Sequence, residues 1–197
     1  MTYFKTPLSI FFSQWWLIII GSYGALWFVQ ATVIFPIEGA FLKNGIVASF
    51  LFLPHAVRVL GAWLYGPKVV FPLLAIAVIC HTQLVDKSIF EFTRGDIISV
   101  LGGVICAPLT FEAMKIMRVD VYPKDEGIIS WRTLLFVGIV SSVINSFLNG
   151  VGNSAYYDVE NTISVLLRYL VGDVVGLFVV LIILVFATRK YRKGGYG

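Results

Sequence analysis

Four polar residues set in apolar sequence could carry chemistry in this chain: His55, Arg58, Asn145 and Asp173. Each charged side chain in a hydrocarbon layer costs roughly 2.5–3.5 kcal/mol on insertion scales, so such residues face protein, water or a ligand. At a rise of about 1.5 Å per helical residue, Arg58 lies roughly 18 Å from the outer boundary of its span, with His55 slightly less deep. Asp173 and Asn145 both fall at roughly 15 Å. Three segments thus bring polar groups to one level, where Arg58 and Asp173 are the natural ion pair. A second set extends it. Ser141, Asn145, Asn149 and Asn153 recur every four residues, beside Ser142 and Ser146, which places them along one helix face. Such a face either bonds to neighbouring helices or lines a cleft in the outer half, where Arg168, Asn149 and Asn153 are the possible ligand contacts. Arg168 has two further options, snorkelling to the interface or pairing with Asp158 or Glu160. Gly172 and Gly176, four apart around Asp173, are expected helix-packing positions that let another helix backbone approach closely.

The surrounding composition defines the class. Of 197 residues, 58% are hydrophobic and 13% charged, with a mean hydropathy of +0.88. Soluble domains carry about 25% charged residues. The chain reads as an all-α integral membrane protein forming a single membrane domain over residues 1–197, with no room for a separate catalytic, nucleotide-binding or nucleic-acid-binding domain. The net charge of +4 has a topological explanation and is no nucleic-acid signal. Cys80 and Cys106 both fall in spans, where buried, reduced thiols are expected.

Six spans are expected, at about 15–35, 46–66, 69–85, 96–117, 131–156 and 163–187, each near the length of about 20 residues that crosses a bilayer. The segment before them is a candidate interfacial stretch rather than a cleaved leader. Trp15 and Trp16 stand where an interfacial aromatic belt belongs. Pro54 interrupts the second span, Gly66-Pro67-Lys68 forms a tight turn, and Pro72 sits in the first turn of the third. One set of loops holds Lys5, Lys68, Lys115, Arg118, Lys124, Arg132, Arg189, Lys190, Arg192 and Lys193; the other holds Lys43, Lys87 and Arg94. Ten against three places both termini in the cytoplasm.

Glu112 and Lys115, three apart on the fourth span, are expected to pair locally rather than relay protons. His55 and His81 on neighbouring spans leave haem ligation as a minor alternative to packed histidines; no cofactor and no metal are otherwise expected. The phosphate-loop and nucleophile-elbow motifs are missing, and no paired cysteine–histidine zinc spacing is present. No serine–histidine or paired-aspartate arrangement is apparent in the spans, so the chain reads as a non-enzyme.

Two motifs carry a family resemblance. Leu53-Pro54-His55-Ala56-Val57 through Leu64-Tyr65-Gly66-Pro67 resembles the Trp-Pro-Pro-Ala-Gly…Leu-Phe-Gly stretch of the first class of membrane-associated sensor domains, the MASE family. The stretch Leu167-Arg168-Tyr169-Leu170-Val171-Gly172-Asp173-Val174-Val175-Gly176 is similar to that family's Trp-Trp-Leu-Gly-Asp-Ala-Leu-Gly signature. With the order of spans, the resemblance covers most of residues 14–188. It implies the membrane sensor of a bacterial kinase or cyclic-dinucleotide enzyme, here standing alone without an output domain. The chain departs from the pattern at His55, where a second proline is common, and at Arg58, an added charge. The expected role is therefore a non-catalytic, sensor-like protein of the bacterial inner membrane, in contact with lipid and another membrane protein, its ligand unknown. An accessory subunit of a respiratory, photosynthetic or motor complex and a substrate-binding subunit of a transporter are the alternatives.

Overall fold

The computed structural model describes residues 14–41, 48–119, 121–123, 131–153 and 159–194. Every regular element among them is helical. In chain order these are α1 (Trp15–Val29), a π-helical turn (Gln30–Ile34), α2 (Phe35–Phe41), α3 (Pro54–Tyr65), a 3-10 turn (Gly66–Val69), α4 (Val70–Val85), a second 3-10 turn (Ile89–Glu91), α5 (Arg94–Ile116), α6 (Trp131–Asn153) and α7 (Val159–Gly194). Five described stretches are long and apolar enough to cross a bilayer: Trp15–Phe41, Pro54–Val85, Arg94–Ile116, Trp131–Gly152 and Ile163–Arg189. The chain is thus a multi-pass helical membrane protein. Its surface agrees: Phe71 is 77% exposed and Phe136 57%, acceptable to lipid and costly in water.

The second span differs from its expected form. Residues 48–53 are irregular, and helix begins only at Pro54, which occupies the first turn of α3 instead of interrupting a longer helix. Proline suits that position because its missing N–H would have no intrahelical partner there. Gly66 then ends α3 at φ +65° and ψ −157°, a conformation open to glycine. The chain reverses at this point. α3 runs antiparallel to α1, with Tyr65 stacked on Trp15 at 5.0 Å, Arg58 bonded to Tyr23 at 3.0 Å and Phe52 against Trp27 at 6.3 Å. α4 returns alongside α1, Ile76 lying 3.7 Å from where a Cβ on Gly24 would stand. Lys68 covers the Trp15 ring at 5.2 Å, so the expected aromatic belt is tied to the Gly66 turn.

The other half is a sheet-like row of three helices. Gly102 of α5 packs against Leu148 of α6, and Gly152 against Ile98. Gly150 and Gly138 of α6 receive Leu166 and Leu177 of α7. Small residues at these crossings let the backbones close up. α5 starts with a capping box in which Thr93 and Asp96 bond reciprocally. At its other end Lys115 meets Glu112 at 3.9 Å, the expected local pair. Glu112 also accepts the Tyr122 hydroxyl at 2.6 Å; burial and that carboxylate hold the Tyr122 phenol above its ordinary range. α7 is 36 residues long, about 54 Å at helical rise, well beyond the ~30 Å of hydrocarbon. It continues as helix through Gly194, past the span limit expected at 187.

Candidate functional site

The site is assembled around the irregular segment at residues 48–53, which lies directly on α7. A Cβ on Gly172 would overlap the carbonyl oxygen of Ser49, and one on Gly176 that of Phe52. The two glycines thus do admit a backbone, but it is this strap and not a helix. Phe52 N–H donates to the Gly172 carbonyl at 2.9 Å, fastening strap to helix.

Irregular backbone is tolerated in a membrane protein only where its polar groups are satisfied internally. Here four successive amides are. Phe50 N–H reaches Glu38 Oε1 at 2.9 Å, Leu51 N–H reaches Ser49 Oγ at 3.1 Å, and Leu53 N–H reaches Gln30 Oε1 at 3.1 Å, with Phe52 on Gly172. Gln30 Nε2 donates in turn to Ser49 Oγ at 3.0 Å. The π-turn beginning at Gln30 aims this fully buried amide at the strap. Gln30→Leu orphans the Leu53 amide and the Gln30 contact of Ser49. We expect it to cost about 2 kcal/mol or more, read as a lowered unfolding midpoint in detergent.

Asp173 lies beneath the strap, 1% exposed. Asn145 Nδ2 donates to its Oδ2 at 2.7 Å, and His55 Nδ1 stands 3.5 Å from the same oxygen. Asn149 Nδ2 donates to both the backbone and side-chain oxygens of Asn145. Ser142 donates to the Leu170 carbonyl, so the polar face of α6 is turned onto α7 as expected.

The Arg58–Asp173 ion pair is not formed. The ion-pair partner of Asp173 among the described residues is His55, and Arg58 has none. Arg58 instead donates to Tyr23 Oη and lies over the Phe52 ring at 5.1 Å. Its guanidinium fits against α5 because Gly103 has no side chain; a Cβ there would stand 2.7 Å from Nη2. Equal depth brought the two residues to one level, but the guanidinium is directed onto Tyr23 and against Gly103 instead of Asp173. His55 faces α6 and α7; Arg58 faces α1 and α5.

His55 Nε2 also lies 3.2 Å from Ser141 Oγ. Ser141, His55 and Asp173 thus stand in the order of a nucleophilic triad, a serine–histidine contact that sequence reasoning missed because 86 residues separate the two. Ser141 and His55 are both 0% exposed. A nucleophile needs a position for a carbonyl beside it and donors for the oxyanion. Ser141 is enclosed, and its hydroxyl also lies 3.0 Å from the Gly138 carbonyl. With that carbonyl taking the serine proton, His55 donates from Nε2 and turns a bare Nδ1 to Asp173. With His55 taking it, Nδ1–H faces the carboxylate. Only the second state gives the carboxylate a proton to face, and the row then spans α3, α6 and α7.

Beside this row lies a cavity of about 430 Å³, a size typical of small-molecule sites. Its walls are Tyr23, Trp27, Phe35 and Phe52 on one side and Asn145, Asn149 and Tyr169 on the other, with Arg58 between them. It extends toward the end of the bundle opposite Trp15, where Leu84 and Val85 close α4 and Asp96 opens α5. Of the expected cleft contacts, Asn149 lines it. Arg168 does not: it lies over the Phe50 ring at 5.3 Å. The Asn153 side chain is outside the described residues. Tyr23, Trp27, Gln30 and Ser49 were not foreseen; a glutamine inside an otherwise apolar first span was the one readable sign.

The two histidines are separately engaged. His81 bonds Asp96 at 3.0 Å and meets Phe92 edge-on, while His55 serves Ser141 and Asp173. Cys80, on the cavity wall, and Cys106 are buried free thiols, as expected. No family model, curated protein or solved structure matches the chain.

Proposed function

We propose that this chain is a non-catalytic, sensor-domain-like module of a bacterial inner membrane that takes a ligand in its cavity and acts through contacts with another membrane protein. The carrying observation is that one segment serves both cavity and output. Ser49 and Phe52 line the cavity, and the same strap is seated on Gly172 and Gly176 of α7. A ligand that binds one strap position more tightly than another shifts the population between them. α7, continuous as helix to Gly194, would carry that shift out of the bilayer.

In this reading the chain crosses six times, α3 and α4 being separate crossings joined at Gly66. Both termini are cytoplasmic, on the ten-against-three bias of basic residues, and the cavity opens on the outer side. A reporter fused at Gly197 is expected to be active in the cytoplasm; activity outside it would overturn the topology. Native purification in mild detergent is expected to yield a stoichiometric membrane-protein partner, and a homogeneous free monomer would count against partner-dependent action.

A further inference from the structure

Resting on the reading of the cavity as a ligand site, we propose that its ligand is a monocarboxylate on an apolar body, held by Arg58. Arg58 is 8% exposed and lines the cavity. Its Nη2 is given to Tyr23, while Nε is buried with no acceptor. The guanidinium is always charged, and its planar fork of donors matches a carboxylate in two parallel bonds. Among the described residues no carboxylate fills that role. Asp173 is turned to Asn145 and His55. Asp96, on the cavity wall, is held by Thr93, His81 and Lys87. A cation this deep in a low-dielectric interior is stabilised by an anion that reaches it, and the open side from which one can come is the cavity.

The charge and the walls narrow the class. Arg58 is the one permanently charged cation among the lining residues, His81 being engaged by Asp96. A single negative charge matches it; a dianionic phosphate would leave one charge uncompensated. Trp27, Phe35 and Phe52 offer ring faces and edges to the rest of the molecule, so that part is apolar. The acid could come from water as a flat aromatic carboxylate or from the bilayer as an acyl chain, and both present the same head to Arg58.

The test uses the full chain in nanodiscs with 2-naphthoate, decanoate and the primary amide of each, read by calorimetry and thermal shift against empty nanodiscs. At least one acid is expected to bind, its amide at least ten-fold more weakly. Arg58→Gln is expected to lose the preference for acid over amide, and Arg58→Lys to fall between. Naphthoate alone would indicate the aqueous source, decanoate alone the bilayer. Should Arg58→Gln fail to fold, the acid–amide comparison on the unaltered protein still decides. Amides binding as tightly as acids would overturn the carboxylate assignment and leave the ligand site standing; no binding by any of the four probes would overturn both.

Discussion

Gly176→Ala is expected to abolish the folded protein or come close to it, with Gly172→Ala nearly as severe. The added Cβ at 176 would overlap the Phe52 carbonyl and stand 3.0 Å from the Leu53 nitrogen; at 172 it would overlap the Ser49 carbonyl and stand 3.1 Å from its carbon. These neighbours are backbone, not the far ends of side chains, so nothing can rotate away. The strap must lift from α7. Lifting breaks the Phe52–Gly172 bond and pulls Leu53 from Gln30, leaving amides bare where no water replaces their partners. At about 1–3 kcal/mol for each orphaned group, plus lost packing, the change costs about 3 kcal/mol or more. Gly21→Ala is the control. Nothing stands within 4 Å of its Cβ, and alanine in a helix interior is favourable by about 1 kcal/mol. The comparison is read as monodisperse yield and unfolding midpoint. A Gly176→Ala protein as stable as Gly21→Ala would mean the strap does not rest on α7.

The contrast between Gly176 and Gly21 bears on what the sequence could and could not reveal. Hydropathy located the apolar stretches, because transfer into lipid depends on side-chain type. It also made residues 46–66 look like one helical span interrupted at Pro54, with helix on both sides of the proline. Apolar side chains at 50–53 say nothing about backbone amides, and those of Phe50 and Leu53 are satisfied by Glu38 and Gln30 of the first described stretch. Partners 12 and 23 residues away leave no local mark. The spacing of Gly172 and Gly176 announced close approach but not the shape of what approached. The serine and asparagine face of α6 was legible because its period is helical, and it does meet α7. Azimuth was not legible. Depth counting put Arg58 and Asp173 at one level, and only packing against Gly103 and Tyr23 decides that the guanidinium points elsewhere. Arg168 was set aside by the same logic, its charge drawn over the Phe50 ring.

That difference between level and direction gives the second large effect. Asp173→Ala is expected to cost about 3 kcal/mol, the sum of a lost charge-assisted hydrogen bond and a stranded Asn145 amide. Asp173→Asn is expected to recover at least half of it, because an amide oxygen can still accept from Asn145 Nδ2 at the 2.7 Å site. Were Asp173 held chiefly by Arg58, asparagine would be nearly as harmful as alanine, since what the pair needs is charge. Asn145→Ala strands the carboxylate and should cost about 3 kcal/mol alone. Combined with Asp173→Ala it should be no worse than the larger single change, a coupling of about 3 kcal/mol. Arg58→Ala with Asp173→Ala should couple less, because the residues share no contact and Arg58 keeps its own partner in Tyr23. Equilibrium unfolding in mixed micelles measures all six variants, Arg58→Ala alone included, on one scale. If the Arg58–Asp173 coupling exceeds that of Asn145–Asp173, the guanidinium is turned toward α7 and no longer free for the cavity, and the carboxylate site loses its anchor along with the arrangement described for Asp173.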